Sequence, residues 1–233
     1  MRRIAVVTCC VLLSASVAGA DNKDKERTEK ARLSEATMVL QARADTPEHE
    51  IPTDTAHRAA CVIVVPSLKK AAFIVGGEFG KGVMTCRTAT GWSAPLYMQI
   101  QKGSIGFQAG AEEIDLVLLV MNQRGAEKLL GDKVTLGAGM SVAAGPEGGT
   151  ASAATDARMR AEILSYSRTR GAFIGADISG GVLGPDKDAN HRVYGDTHTP
   201  REIMRGTPEP AADAADFIAA VQHEFGGSMK TSN

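Results

Sequence analysis

The feature that most constrains this chain lies between Cys61 and Ala144, where short apolar runs alternate with glycines. "CVIVVPS", "KKAAFIVGG", "GKGVMTCR", "GWSAPLYMQI" and "GSIGFQAG" are each rich in β-branched or aromatic residues and bounded by Gly, Pro or Ser, the pattern of short strands joined by turns. "EIDLVLLVMN" is a more continuous apolar run, as a strand covered on both faces requires. "QRGAEKLLG" reads as a short helix closed by Gly131. In "KVTLGAGMSVAA", Val134, Leu136, Ala138, Met140 and Val142 alternate with Thr135, Gly137, Gly139, Ser141 and Ala143. That alternation predicts one strand, apolar on one side and nearly bare on the other. Another backbone or a ligand, such as a lipid chain, can then approach closely, or the sheet can bend sharply, with close packing of backbone the preferred reading. Further on, "ILSYSRTR" and "AFIGADISG" alternate on either side of Gly171 and predict a hairpin.

Helical periodicity flanks this β-rich centre. Residues 21 to about 45 place Leu33, Ala36 and Leu40 on one face, while the charged stretch 24–32 is expected to be solvated. Pro47 and Pro52 interrupt, and a short helical piece runs up to Ala60. "THTPREIM" starts a helix with Thr199 as N-cap, Pro200 at the first position and Glu202 completing a capping box. Residues 211–225 set Phe217, Ile218, Val221 and Phe225 along one stripe, with Asp213 and Asp216 near the start and Gly226-Gly227 at the end. The expected fold class is therefore α+β: a mainly antiparallel sheet or partly closed barrel with peripheral amphipathic helices.

The N-terminus reads "MRRIAVVTCCVLLSASVAGA", with Arg2 and Arg3, an apolar run, and Ala18 and Ala20 at the exit. This is the pattern of a secretory signal peptide cleaved after Ala20; its apolar run falls short of the roughly 20 residues a spanning helix needs. Thr8 is a poor residue to precede a lipidated Cys9. The expected organisation is a leader (1–20), an N-terminal helical segment (21–50), the main domain (51–205) and a C-terminal amphipathic helix with its tail (206–233). The expected location is the periplasm or the outer-membrane surface. Loss of the leader takes two of 26 basic residues and leaves all 27 acidic ones, so bulk charge points to no nucleic-acid partner. Cys61 and Cys86 then remain in an oxidising compartment. Both lie in β-rich runs, where neighbouring strands would either bridge them or bury them as separate thiols. Two cysteines 25 apart without paired histidines are no zinc site.

Nucleotide chemistry is excluded by position. "GAGMSVAAGP" would need Gly at Val142 for a dinucleotide fingerprint, and a phosphate loop ending at Gly80-Lys81 would need Gly at Val75 and Ser or Thr at Gly82. "DKDAN" lacks the glycine and closing glutamate of a calcium loop, having His191 and Thr197 instead. No nucleophile, base and orienting group fall into a catalytic spacing, so neither enzyme activity, a metal nor a cofactor is expected.

The runs "VIVVPSLKKAAFIVGGEFGKGVM", "GWSAP", "GFQAG", "DLVLLVMN", "TLGAGMSVAAGP", "AEILSYSRTRGAF" and "DANHRVYG" together closely resemble the SYLF domain, also called the Ysc84 or Las17-binding actin-regulator domain, in its bacterial secreted form. The likeness runs from residue 51 to about 204. It implies a lipid-binding domain, with phosphoinositides bound by eukaryotic members and actin filaments by some, on an α+β fold of antiparallel strands and peripheral helices. Actin is not expected as the partner of an exported protein in its own bacterial cell. Leu164 stands where the family usually has Tyr, and Asp177 where an apolar residue is usual.

Candidate contacts to an anionic phospholipid surface are Lys69, Lys70 and Lys81 near the first hairpin, and Arg168 and Arg170, two apart on a strand and hence on one face. Asp115 and Asn122, which bracket the most apolar strand, read as hydrogen-bonded structural residues. Two functions follow: a lipid-binding module of the cell envelope, or an interaction module that recognises an envelope protein through its terminal helices.

Overall fold

Alternation in the first apolar runs continues through positions that read as strand ends, so three expected short strands are two long ones. The computed structural model describes residues 14–42, 50–72, 75–105, 110–131, 133–146, 160–169 and 172–226. Strands β1 (Cys61–Ala72) and β2 (Val75–Cys86) pair antiparallel along their length. Pro66-Ser67 interrupts β1 without ending it. The register shifts there, Ser67 takes a left-handed φ of 48°, and its freed amide donates to the Asp115 carboxylate at 3.1 Å. Gly82 likewise sits inside β2, because a Cβ there would collide with the Val64 carbonyl of β1.

β3 (Leu96–Ile105), β4 (Gly110–Val120), β5 (Val134–Thr135), β6 (Val142–Ala144), β7 (Ile163–Thr169), β8 (Ala172–Gly175) and β9 (Val182–Pro185) complete a nine-stranded sheet. Its order is β5-β9-β3-β2-β1-β4-β7-β6, with β8 also on β7, and it curls into a half-barrel. All pairings are antiparallel except that of β6 with β7. Among the described residues six α-helices attend it: α1 (Ser14–Gln41), α2 (Thr53–Arg58), α3 (Gln123–Leu130), α4 (Lys187–Tyr194), α5 (Pro200–Met204) and α6 (Ala215–Phe225). Among the described residues no helix is long and apolar enough to cross a membrane.

Period-two alternation gives the central strands two buried faces. Cys61, Ile63 and Val65 with Leu116, Leu118 and Val120 look toward α3 and α5; Val62, Val64, Val117 and Leu119 look toward α1, α2 and α6. Cys61 and Cys86 are direct cross-strand partners in the first of these cores, joined by a disulfide. On the second face the stripe Phe217, Val221 and Phe225 of α6 is buried, as its spacing predicts. Arg87 fixes the end of α6 by donating to the Phe225 carbonyl, while its guanidinium stacks on Trp92 at 4.5 Å. The capping box of α5 is present: Thr199 Oγ1 accepts the Glu202 amide at 3.3 Å, and Glu202 Oε2 accepts the Thr199 amide at 2.7 Å.

Two expectations are corrected. Residues 133–144 form no continuous strand: β5 and β6 are separate and pair with different neighbours. Between them Leu136 and Met140 turn into the core around Gly137, whose φ of +87° an L side chain rarely adopts. Glu162 holds the turn by accepting from the Ser141 amide at 3.1 Å and Lys128 at 3.0 Å. The glycines thus serve a tight turn rather than a bare strand face. The charged part of α1 is not all solvated either, since Glu29 and Arg32 are buried.

Candidate functional site

Glu29 and Arg32 lie one turn before Leu33 and Ala36 on the buried stripe of α1, so they meet the sheet at the point where β9 gives way to α4. Asp186 is the N-cap of α4, its Oδ1 accepting the Ala189 amide at 3.2 Å. Its Oδ2 receives Arg32 Nη2 from α1 and Lys81 Nζ from β2, each at 3.2 Å. Arg32 also contacts Glu29 at 2.8 Å, and Glu29 in turn takes Arg192 of α4. The Arg32 guanidinium lies over the Tyr97 ring at 5.2 Å, and Asn190 holds Tyr97 by accepting its amide and donating to its carbonyl.

The charges in this cluster decide its role. Two carboxylates, Glu29 and Asp186, face two guanidiniums, Arg32 and Arg192, and the four are neutral together. Buried ions persist only when compensated in this way. Lys81 is extra: its side chain is 40% exposed, against 6% for Asp186. Burial alone would raise the Asp186 pKa; the Ala189 amide, Lys81 and Arg32 outweigh it and hold the carboxyl below its ordinary range. Burial pushes the Tyr97 hydroxyl well upward, with Tyr194 and Glu29 adding to it, so the phenol stays neutral.

Above Lys81 opens a cleft of about 620 Å³ whose lining includes Phe79, Lys81, Gln99, Lys133, Lys187 and Asp188. Phe79 is one of the few large apolar side chains left outside, 43% exposed. It lies two residues from Lys81 on β2, hence on the same face, and directly opposite Lys69 of β1.

Four of the five expected basic contacts lie among the described residues, and they are spread over three strands. Lys69 and Lys81 share this face, with Lys69 exposed and 3.9 Å from Glu113. Lys70 is a β1 residue opposite Glu78 and Glu112. Arg168 stands on β7, two strands beyond β1, half-buried at 5.8 Å from the Phe173 ring. Arg170 lies outside the described residues. Sequence reading missed Lys133 and Lys187, which join Lys81 only through the β5–β9 and β9–α4 connections. It also missed the network of Glu29, Arg32 and Arg192, although the helical spacing of Glu29 and Arg32 from Leu33 and Ala36 carried the signal. Asp115 and Asn122 are structural, as read: Asp115 serves the β1 bulge, and Asn122 caps α3 by accepting the Gly125 amide at 2.8 Å. Leu164 is buried in the second core, and Asp177 accepts the Ser179 amide within a turn. Among the described residues no group of three or more His, Cys, Asp or Glu is placed to hold a metal.

Comparison with known proteins places these features in a family context. The sequence profile of Ysc84, described as "Las17-binding protein actin regulator", matches residues 101–224, more than half of the chain. LAS seventeen-binding protein 3 of Saccharomyces cerevisiae is 33% identical over 196 residues, covering 81% of this chain and 42% of the yeast protein. SH3 domain-containing YSC84-like protein 1 of Homo sapiens is 32% identical over 168 residues, covering 71% of this chain and 49% of the human protein. Protein YSC84 of Saccharomyces cerevisiae is 31% identical over 196 residues, again with 81% and 42% covered. The chain thus spans under half the length of these relatives, of which the first is by name a LAS seventeen-binding protein.

Proposed function

The chain belongs to the Ysc84 family, and on that footing we propose that it is a non-enzymatic module of the bacterial cell envelope that docks on anionic phospholipid. The observation that carries this reading is the exposed face of the β1–β2 hairpin, where Lys81, surplus to the buried ion network, stands beside the exposed Phe79 with Lys69 opposite. A basic side chain near an anionic membrane surface contributes about 1 kcal/mol, and an aromatic ring adds contact with the headgroup region. Because the chain without its leader carries 24 basic against 27 acidic residues, the attraction is local to this face.

The leader addresses the protein to the periplasmic or outer-membrane surface. The α1 side chains known to pack on the sheet, from Glu29 to Leu40, all lie beyond Ala20, so cleavage there removes none of them. An intact mass starting at Asp21 checks the processing. Recognition of an envelope protein through the terminal helices has less surface to work with, because α1 and α6 spend their apolar stripes on the second core. Las17 binding belongs, by name, to the much longer yeast relatives.

Co-sedimentation with vesicles tests the proposal. The protein is expected to pellet with phosphatidylglycerol vesicles at low salt, to be released as salt rises, and to stay in the supernatant with phosphatidylcholine. Failure to pellet with phosphatidylglycerol at low salt overturns it.

A further inference from the structure

Where α1 ends, away from the ion network at Glu29 and Arg32, the second core opens into a cavity of about 250 Å³. Its apolar walls come from separate parts of the chain: Leu40 closes the buried stripe of α1, Ile51 precedes α2 and Ala56 lies within it, Phe173 stands on β8, and Phe225 ends α6. Arg87 ties two of these walls together. It donates to the Ala59 carbonyl at 2.9 Å, to the His57 carbonyl at 3.2 Å and to the Phe225 carbonyl, so the close of α2 and the close of α6 share one guanidinium. A cavity fixed in this way is formed before any ligand arrives. An apolar cavity of about 150 Å³ accommodates benzene, so this one has room for a phenyl-sized group and a short chain beyond it.

Apart from His223, the ionisable groups of the described lining are carboxylates. Glu50 has no ion-pair or hydrogen-bond partner among the described residues, and Glu224 is met by His223 Nδ1 at 2.8 Å. Both α1 and α6 terminate at the cavity and bring to it the negative ends of their dipoles. The described lining holds no lysine or arginine: Arg87 is taken up by its carbonyls and the Trp92 ring, and Arg168, 5.8 Å from the Phe173 ring, is not part of it. An apolar floor under a carboxylate rim complements an organic ammonium ion, whose hydrocarbon part fills the floor while its charge meets the rim. We infer that this cavity binds a small amine bearing an aromatic or alkyl group, with Leu40, Phe173 and Phe225 around the hydrocarbon and Glu50 and Glu224 at the ammonium. It shares no lining residue with the cleft beside Lys81, and membrane docking has no part in it.

Three probes of one shape and different charge test this. Phenethylamine, protonated at neutral pH, is titrated into the isotopically labelled protein beside phenethyl alcohol and phenylacetate, its neutral and anionic counterparts, and amide shifts are followed by NMR. All three are repeated on Glu50→Gln/Glu224→Gln, whose two side chains are exposed and whose fold is checked by its melting curve. Saturable shifts around residues 40, 51, 173 and 225 are expected with phenethylamine, with the alcohol bound about ten-fold more weakly and phenylacetate not bound. In the double variant the amine should fall to the level of the alcohol, since each exposed charge contact contributes up to about five-fold. Should that variant melt low, the order of the three probes on the wild type still decides. Equal affinity for amine and alcohol in the wild type, or undiminished amine binding in a folded double variant, overturns the amine assignment. Absence of saturable shifts with phenethylamine around these residues overturns the site itself.

Discussion

Replacing Arg32 with methionine keeps an aliphatic chain over Tyr97 but removes the cation that serves Glu29 at 2.8 Å and Asp186 at 3.2 Å. Both carboxylates are almost wholly buried, at 2% and 6% side-chain exposure. Among the described residues Arg192 and the half-exposed Lys81 remain to balance them. Breaking a buried ion pair from one side costs about 3–5 kcal/mol, which for a chain of this size lowers the melting temperature by about 6–20 °C. The pH dependence has a definite sign. Asp186 titrates below its ordinary value in the folded protein, so its stabilisation is present above the unfolded pKa of about 3.9 and is lost as pH falls through the folded value. In Arg32→Met the Asp186 carboxylate has lost one of the cations that hold it below its ordinary range and binds its proton more readily, so the deficit against wild type is largest near pH 7 and narrows as pH falls through the carboxylate range. Urea melts of both proteins at several pH values measure this, with the exposed Arg58→Met as a control expected within about 0.5 kcal/mol of wild type. A deficit below about 1 kcal/mol at pH 7, or one that does not change with pH, refutes the neutral-network argument.

Reduction of the Cys61–Cys86 disulfide, which closes a separation of 25 residues, is expected to cost about 3 kcal/mol by loop entropy; melting with and without reductant reads it, and an unchanged transition contradicts it. Gly82→Ala is expected to destabilise by about 1–3 kcal/mol or more, because its Cβ meets the Val64 backbone carbonyl, which cannot swing aside. Gly139→Ala meets only Val134 Cγ1 at 3.2 Å and the Thr135 carbonyl at 3.3 Å at an exposed turn, so its chemical-denaturation midpoint should stay much closer to wild type. The reverse order would restore the idea of a close-packed strand through residues 133–144.

Local chemistry made much of the fold legible. The capping box at Thr199 and Glu202, the stripe of Phe217, Val221 and Phe225, and the continuous apolar run of β4 need only their own neighbours to be recognised, and each is found in place. Errors arose where a distant partner reverses a local signal. Pro66-Ser67 looks like a strand end, but Asp115, 48 residues away, satisfies the interruption. The alternation of residues 133–144 looks like one strand, but Gly137 turns the chain and β9 and β7 each take one end. The candidate site was less legible for the same reason. Lys81 was found because it sits in a conspicuous strand. Lys133 and Lys187 become its neighbours only after β9 pairs with β3, bringing residues 182–185 against 98–101. Glu29 and Arg32 read as solvated because their compensating charges, Asp186 and Arg192, lie more than 150 residues further along the chain.

The most direct test of Lys81 as a binding cation rather than a structural one is Lys81→Met, measured for affinity to phosphatidylglycerol vesicles, with its melting temperature as the reference. With the buried network neutral in its absence, and Asp186 still served by Arg32 and the Ala189 amide, stability should fall by no more than about 1 kcal/mol. Vesicle affinity should fall about five-fold. A variant that melts as low as Arg32→Met yet binds vesicles like the wild type would place Lys81 in the core's charge balance and contradict its role at the membrane.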